Sequence, residues 1–174
     1  MRQTKKITVS AMMVALGTVF MTLGALFEVV DLTVCALASL IVAFIYIELG
    51  SPYTWLVWLC TSLATFLCFS GSFIWVEYLL VFGVYPILKA YIERLPKFWW
   101  LPIKFLFINA IIWIMVLICE KLLGIPFFGG ETLWLNAAMY AVINVAFVAY
   151  DLFITVLVRL YLMKYRRIFS KFLK

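Results

Sequence analysis

Six long apolar runs follow one another along the chain, and short polar or turn-forming stretches separate them. A helix that crosses the hydrocarbon core of a bilayer needs about 20 consecutive, mainly apolar residues. At that length the runs predict six transmembrane helices, at about residues 7–27, 32–49, 53–69, 73–92, 101–123 and 133–158. The runs are too long for the alternating strands of a membrane barrel, so the pattern predicts an all-α integral membrane protein with a six-helix bundle.

Turn-forming residues mark the boundaries between these predicted helices. The stretches are "ELGSPY", "SGS", "LPKFWWLP" and "GIPFFGGET", after the second, third, fourth and fifth runs, and Gly and Pro in such positions interrupt helices. No internal repeat or flexible linker divides the sequence, so residues 1–174 are predicted to form a single membrane domain with a basic tail at 159–174. The first run lacks an A-x-A cleavage pattern at its end, which favours a retained span over a signal peptide.

The composition agrees with a membrane location. The chain is 68% hydrophobic and 13% charged, whereas soluble domains are about 45–50% apolar and about 25% charged. Cytoplasmic loops of membrane proteins are enriched in Lys and Arg. If both termini are cytoplasmic, all basic residues except Lys121 fall on that side: Arg2, Lys5, Lys6, Lys89, Arg94, Lys97, Lys104, Arg159, Lys164, Arg166, Arg167, Lys171 and Lys174.

This charge distribution predicts that both the N-terminus and the C-terminus lie in the cytoplasm. The protein is predicted to be a multi-pass protein of the cell membrane, here the bacterial cytoplasmic membrane. The net charge of +6 then describes the cytoplasmic face, and we expect membrane lipid rather than nucleic acid around the chain. The predicted outer side carries Glu28, Asp31, Glu77, Glu120 and Glu131 against Lys121 alone.

The residue types argue against catalysis. The chain contains no histidine, which removes the usual general base, the commonest metal ligand and any Ser-His or Cys-His pair. No paired-carboxylate motif or Gly-rich phosphate loop is present. The four cysteines lack C-x-x-C spacing and are predicted to be small apolar fillers: Cys35, Cys60, Cys68 and Cys119. We therefore expect no enzymatic activity, no cofactor and no metal site.

The first predicted helix carries two faces of small residues. At 100° per residue, one face spans about 80° and contains Ala11, Ala15, Thr18, Thr22 and Ala25. A second ridge beside it contains Ser10, Gly17 and Gly24, and large apolar residues occupy the opposite side. Small side chains let transmembrane helices approach closely. Two interpretations follow: packing inside the chain's own bundle, or docking onto a separate membrane partner through Ala11 and Ala15.

The last predicted helix carries a polar stripe, made by Asn136, Tyr140, Asn144 and Asp151. An ionisable group in a span usually faces the bundle interior or a wet cavity. One interpretation is hydrogen bonding between helices, with Asp151 paired to Lys89 or Arg159. The other is a substrate site lined by Asn136, Tyr140 and Asn144.

Aromatic and acidic residues cluster at the predicted outer ends of two helices. Trp75, Glu77 and Tyr78 begin the fourth helix, and Trp134 begins the last. Aromatic faces and carboxylates suit a flat or cationic small molecule, although an ordinary interfacial aromatic belt has the same composition. Because no Arg lies on the outer side to clamp an anion, we expect a neutral or cationic substrate.

The segment "VFGVYPILKAYIERLPK" covers the second half of the fourth run and most of the connection to the fifth run. Pro86 is predicted to kink the fourth helix, because proline removes a backbone donor and clashes with the preceding turn. Lys89 and Glu93 are spaced for an i,i+4 pair. The cytoplasmic end of this helix is either an ordinary charged surface or a docking patch.

Six spans in 174 residues, cytoplasmic termini and a first helix reading "ITVSAMMVALG" resemble the substrate-binding (S) component of energy-coupling factor (ECF) transporters. The resemblance implies that the Ala11-x-x-x-Ala15 pair contacts a scaffold transmembrane subunit, which also carries two ATPase subunits. It also implies vitamin uptake, by toppling of the bundle in the membrane. No substrate-binding residue is transferred from the family.

Two other functions stay open. A non-catalytic membrane scaffold of the rod-shape-determining type has a similar size and topology and needs no pocket. A small lipid-handling or polyprenyl-linked membrane enzyme is the third possibility, and it requires a catalytic motif that we do not find.

Overall fold

A computed structural model describes residues 3–122, 128 and 132–166. These residues are mostly helical and contain no strand. The helices are α1 (Gln3–Leu26), α2 (Asp31–Glu48), α3 (Ser51–Cys68), α4 (Ile74–Glu77), α5 (Tyr85–Ile92), α6 (Lys97–Leu117) and α7 (Leu133–Leu160). A 3₁₀ turn covers Glu28–Val30, and π-helical turns extend or link helices at Tyr78–Phe82, Ile118–Leu122 and Tyr161–Tyr165.

Five helices among the described residues are long and apolar enough to cross a membrane: Gln3–Leu26, Asp31–Glu48, Ile74–Ile92, Lys97–Lys121 and Leu133–Lys164. This indicates a membrane protein. The predicted span 53–69 also coincides with a helix, α3. Its Ser, Thr, Pro and Tyr residues lower its hydropathy, and it is not among the five.

Turn-forming residues end the helices at several predicted boundaries. Gly50 separates α2 from α3 and has a φ of 88°, a backbone conformation that glycine adopts without a steric penalty. Residues 69–73 separate α3 from α4. The predicted boundary "LPKFWWLP" is shorter than expected, because α6 already begins at Lys97 and contains Pro102. Pro102 lies just beyond the first turn of α6, so it removes one backbone hydrogen bond of this helix. Most of "GIPFFGGET" lies outside the described residues.

The chain divides into two compact units. The first unit is Met1–Ala90 with Ile154–Lys174, and the second unit is Tyr91–Phe153. The prediction of a single domain stays a prediction. In the first unit, α1, α2, α3 and α4 surround a core of Met21, Cys35, Ala38, Val42, Ile74, Tyr78 and Ile87. A second cluster contains Ile41, Ile45, Leu49 and Val57.

The ridge of Ser10, Gly17 and Gly24 packs inside the first unit. All three residues are buried. A Cβ atom on Gly17 would lie 3.1 Å from Thr61 Cγ2, and one on Gly24 would lie 3.4 Å from Val34 Cβ. The glycines therefore let α1 approach α2 and α3 closely. The internal-packing interpretation holds for this ridge.

The end of α7 also belongs to the first unit. The Tyr161 hydroxyl donates a hydrogen bond to Glu48 Oε1 at 2.9 Å, and the Tyr161 ring meets Phe44 edge-on. Arg166 Nε lies 3.8 Å from the same carboxylate oxygen. These contacts connect the end of α7 to the end of α2. The predicted basic tail is helical up to Arg166, and residues 167–174 lie outside the described residues.

The sequence predicts a kink at Pro86, and the fourth helix is interrupted just before this residue. Gly83 N donates to Tyr78 O at 2.7 Å, which closes a π-helical turn. A turn at residues 83–84 follows, and α5 begins at Tyr85. Pro86 is then the second residue of a new helix, where a missing N–H leaves no helical hydrogen bond unmade.

Gly83 fits closely against α3, and replacing it with alanine is expected to destabilise the fold. A Cβ atom there would lie 2.8 Å from Trp58 Nε1 and 2.9 Å from the Tyr78 carbonyl oxygen. The Trp58 ring cannot move away freely, since Nε1 donates to Leu79 O at 3.2 Å. Overpacking of this kind costs about 1–3 kcal/mol. The measurement is the unfolding midpoint of the purified protein in detergent.

Gly71→Ala is the matched control for this prediction. A Cβ atom on Gly71 meets nothing within 4 Å, so its effect should stay within about 0.5 kcal/mol, as for ordinary surface substitutions. If Gly83→Ala and Gly71→Ala lose the same stability, the contact with Trp58 does not restrict the size of the side chain at position 83.

Candidate substrate site and partner surface

The predicted substrate-binding residues fall in two groups, one in each unit. Trp75, Glu77 and Tyr78 belong to the first unit, at α4 and the start of the π-helical turn. Trp134, Asn136, Tyr140 and Asn144 belong to the second unit, on α7.

Tyr78 and Trp75 have different surroundings in the first unit. The Tyr78 side chain is 1% exposed and lies in the core cluster beside Met21 and Cys35. Trp75 is half-buried, and its ring meets Phe66 edge-on with 4.8 Å between centroids. Tyr78 therefore contributes to the stability of this unit, whatever else it contacts.

Glu77 carries a buried carboxylate oxygen. Its Oε2 atom has no hydrogen-bond donor in the described part of the chain. The Asp31 carboxylate is close enough to interact with it electrostatically. Because charge buried without a partner is costly, this end of the first unit is suited to a hydrogen-bond donor or a cation.

The polar stripe of α7 interacts with α6 inside the second unit. The Tyr140 hydroxyl donates a hydrogen bond to Asn109 Oδ1. The amide nitrogens of Asn109 and Asn144 each donate to the backbone carbonyl four residues earlier, at 2.7 Å to Phe105 O and 3.0 Å to Tyr140 O. The Oδ1 atoms of Asn136 and Asn144 are buried and have no donor among the described residues.

Trp134 lies in the first turn of α7 and is 86% exposed. An exposed tryptophan at the end of a helix is typical of an interfacial aromatic belt. Its exposure also leaves its ring available for stacking. The structure therefore agrees with both interpretations of Trp134.

Asp151 is paired with Lys104, a partner that the sequence analysis did not consider. Lys104 Nζ lies 2.9 Å from both carboxylate oxygens of Asp151 and 3.5 Å from Glu93 Oε1. The Trp100 ring centroid is 5.9 Å from the same nitrogen. The two suggested partners were Lys89 and Arg159. The Lys89 ammonium, in the first unit, is buried and donates to Thr155 Oγ1 at 2.7 Å.

Sequence reasoning missed Asn109 and Lys104 as the partners, on α6, of the polar stripe of α7. Both interrupt an otherwise apolar run from residue 101 to 118, and polar residues inside a span usually face protein or a cavity. That signal identifies the residues but not their partners. Tyr140 and Asp151 lie 31 and 47 residues further along the chain.

The Ala11 and Ala15 face of α1 lies outside the core of the first unit. Both residues are exposed, in contrast to the buried ridge beside them. On the same face, the Thr18 and Thr22 hydroxyls donate to carbonyl oxygens of their own helix at 2.9 Å and 2.8 Å. The face is therefore small and has its hydroxyl donors satisfied. Ala25, further along the same face, packs against the core, so the uncovered part of this face is the part that contains Ala11 and Ala15.

None of the four cysteines forms a disulfide bond, and the described residues contain no group of three or more metal-ligating side chains. Neither a protein-family profile, nor a curated protein, nor a solved structure matches this chain. The function is therefore inferred from the residues and their geometry.

Proposed function

We propose that this chain is the membrane-embedded substrate-binding subunit of an ECF-type micronutrient transporter. In this proposal it forms six transmembrane helices in the cell membrane, with both termini in the cytoplasm. It captures a small neutral or cationic vitamin-like molecule outside the cell. A scaffold transmembrane subunit and two ATPase subunits then support its delivery inward.

The observation that carries this proposal is the exposed Ala11 and Ala15 face. Helix association in lipid depends on close packing, since lipid tails are as apolar as the side chains. A face of small residues that the first unit leaves uncovered favours close approach by a helix of another protein. The adjacent ridge of Ser10, Gly17 and Gly24 already provides the internal packing, so the two small faces serve different contacts.

Two further features support a transport subunit over a self-sufficient enzyme. The sequence has no phosphate-binding loop, so energy from ATP must come from partner subunits. Buried oxygen acceptors occur at three of the predicted substrate residues, Glu77, Asn136 and Asn144. A hydrogen-bond donor or a positive charge beside Glu77 would satisfy the acceptor of the first unit, and a donor beside Asn136 or Asn144 would satisfy an acceptor of the second unit.

The test replaces Ala11 and Ala15 together with leucine. We expect the double variant to lose co-purification with the scaffold and ATPase subunits, because the added side chains separate the docking helices. Both residues are exposed, so the variant should keep the unfolding midpoint of the wild type. The measurement is affinity purification from native membranes, followed by mass spectrometry of the captured subunits.

Ala137→Leu with Ala141→Leu is the matched control, since this pair is exposed and has the same i,i+4 spacing on α7. The control should retain the partner subunits. Capture of the same subunits by the Ala11/Ala15 variant, or loss of its fold, would contradict docking through this face.

A further inference from the structure

Two side-chain amides on the stripe of α7 have a buried acceptor oxygen without a donor. Asn144 Nδ2 donates one of its two N–H groups to Tyr140 O at 3.0 Å, which orients this amide and identifies Oδ1 as its acceptor. That Oδ1 is buried and has no donor among the described residues, and the same holds for Asn136 Oδ1. The stripe therefore contains two acceptor oxygens that need a donor which the described residues do not supply.

The two asparagines share one side of α7. They are separated by Tyr140 at i,i+4 spacing, so all three lie within about 80° of one another, and at 1.5 Å per residue the asparagine backbones are about 12 Å apart. A buried acceptor without a donor is unfavourable. Lipid tails have no donors to offer, and an apolar helix from another protein has few.

We propose that Asn136 and Asn144 form a hydrogen-bond-accepting wall that selects molecules with N–H or O–H donors. This inference rests on the proposed function and narrows its substrate class to neutral or cationic heterocycles with exocyclic amino, amide or hydroxyl groups. Molecules whose only polar groups are acceptors should bind more weakly, because their lone pairs would face the lone pairs of the asparagine Oδ1 atoms.

Asn109 serves this wall as a positioning residue. Its Nδ2 is bound to Phe105 O at 2.7 Å, which leaves Oδ1 to accept the Tyr140 hydroxyl. With the hydroxyl held by α6, the Tyr140 ring has a fixed direction between the two asparagines. Asn109 thus acts through Tyr140, without contact with the substrate.

The experiment uses three pairs of flat probes: adenine, cytosine and nicotinamide, each with its counterpart dimethylated on the exocyclic nitrogen. The dimethyl group removes the exocyclic N–H donors and keeps the ring. Binding to the purified full chain in detergent is measured by titration calorimetry. We expect at least one donor-bearing probe to bind roughly tenfold more tightly than its dimethyl counterpart, which corresponds to about 1.4 kcal/mol.

Variants at Asn144 isolate the acceptor oxygen. Asn144→Leu and Asn144→Asp both lose the amide N–H bond to Tyr140 O, but only Asn144→Asp keeps a side-chain oxygen. We expect Asn144→Leu to remove most of the tenfold preference and Asn144→Asp to retain it. Asn136→Leu should reduce the preference in the same direction.

Variants at Asn109 and Tyr140 test the positioning role. Asn109→Leu and Tyr140→Phe remove the same hydrogen bond. The double variant should therefore bind the best probe within about twofold of either single variant, whereas independent residues would have multiplicative effects. Multiplicative losses would overturn the role of Asn109 as a positioning residue.

Three results would overturn the accepting wall: no probe binds, both members of each pair bind equally, or Asn144→Leu keeps the preference. Probe binding needs no partner subunit, so this test is separate from the docking test. If the donor preference is found and the Ala11/Ala15 variant still captures its partners, the wall stands and the proposed docking contact fails.

Discussion

Replacing Lys104 with methionine is expected to lower the free energy of unfolding by about 3–5 kcal/mol, the range for breaking a buried ion pair on one side. The Lys104 ammonium is 2.9 Å from both carboxylate oxygens of Asp151 and 3.5 Å from Glu93. The Lys104 and Asp151 side chains are only 13% and 18% exposed. Without the ammonium, the Asp151 carboxylate loses a bidentate cationic partner in a segment that we place in lipid.

The measurement is unfolding of the detergent-solubilised protein by denaturant. The double variant Lys104→Met with Asp151→Leu should recover most of the lost stability, because it removes the second charge together with the cost of burying it. Lys121→Met is the control, since Lys121 is exposed near the end of the same span. If Lys104→Met lowers the free energy of unfolding as little as Lys121→Met does, the ion pair does not stabilise the second unit.

Replacing Tyr78 with alanine is expected to cost about 3–5 kcal/mol, as for other large aromatic side chains removed from a core. The side chain is 1% exposed and packs beside Met21 and Cys35. Substitution therefore leaves a cavity that the surrounding helices cannot fill. The unfolding midpoint again provides the measurement.

Tyr140→Ala is the comparison for Tyr78→Ala, because both remove a tyrosine predicted to bind substrate. Tyr140 is 36% exposed, so it fills less of a core and its loss should cost clearly less stability. Similar losses at both positions would contradict a core role that is specific to Tyr78. Tyr78→Phe keeps the ring but loses the side-chain hydrogen bond to the buried Thr61, so it should cost about 1 kcal/mol, clearly less than Tyr78→Ala.

Continuous apolar length predicted most of the helices. The predicted spans 7–27, 32–49 and 53–69 overlap α1, α2 and α3 nearly throughout, because an apolar run of 18 residues or more has few other ways to satisfy its backbone in lipid. The prediction of one continuous helix over residues 73–92 was less accurate, because the structure interrupts it at residues 83–84. Its interruption depends on the fit of Gly83 against Trp58, a contact between residues 25 positions apart that no local pattern contains.

Helical periodicity placed Asn136, Tyr140 and Asn144 on one stripe, and the structure gives that stripe a partner helix. Periodicity could not identify Asn109 or Lys104 as those partners, because it relates only residues on the same helix. For the same reason the two small-residue faces of α1 looked equivalent. Only the packing of Gly17 and Gly24 against α2 and α3 distinguishes the buried ridge from the exposed Ala11 and Ala15 face.

The π-helical turn at Tyr78–Phe82 shifts the phase of the fourth span. A regular α-helix bonds each N–H to the carbonyl four residues back, whereas Gly83 N reaches the carbonyl five residues back, at Tyr78. One additional residue in a turn moves later side chains about 100° around the axis. Deleting one residue from this turn would therefore rotate every later side chain of the span by about 100°. The buried Lys89 would then point in a different direction from the helix axis.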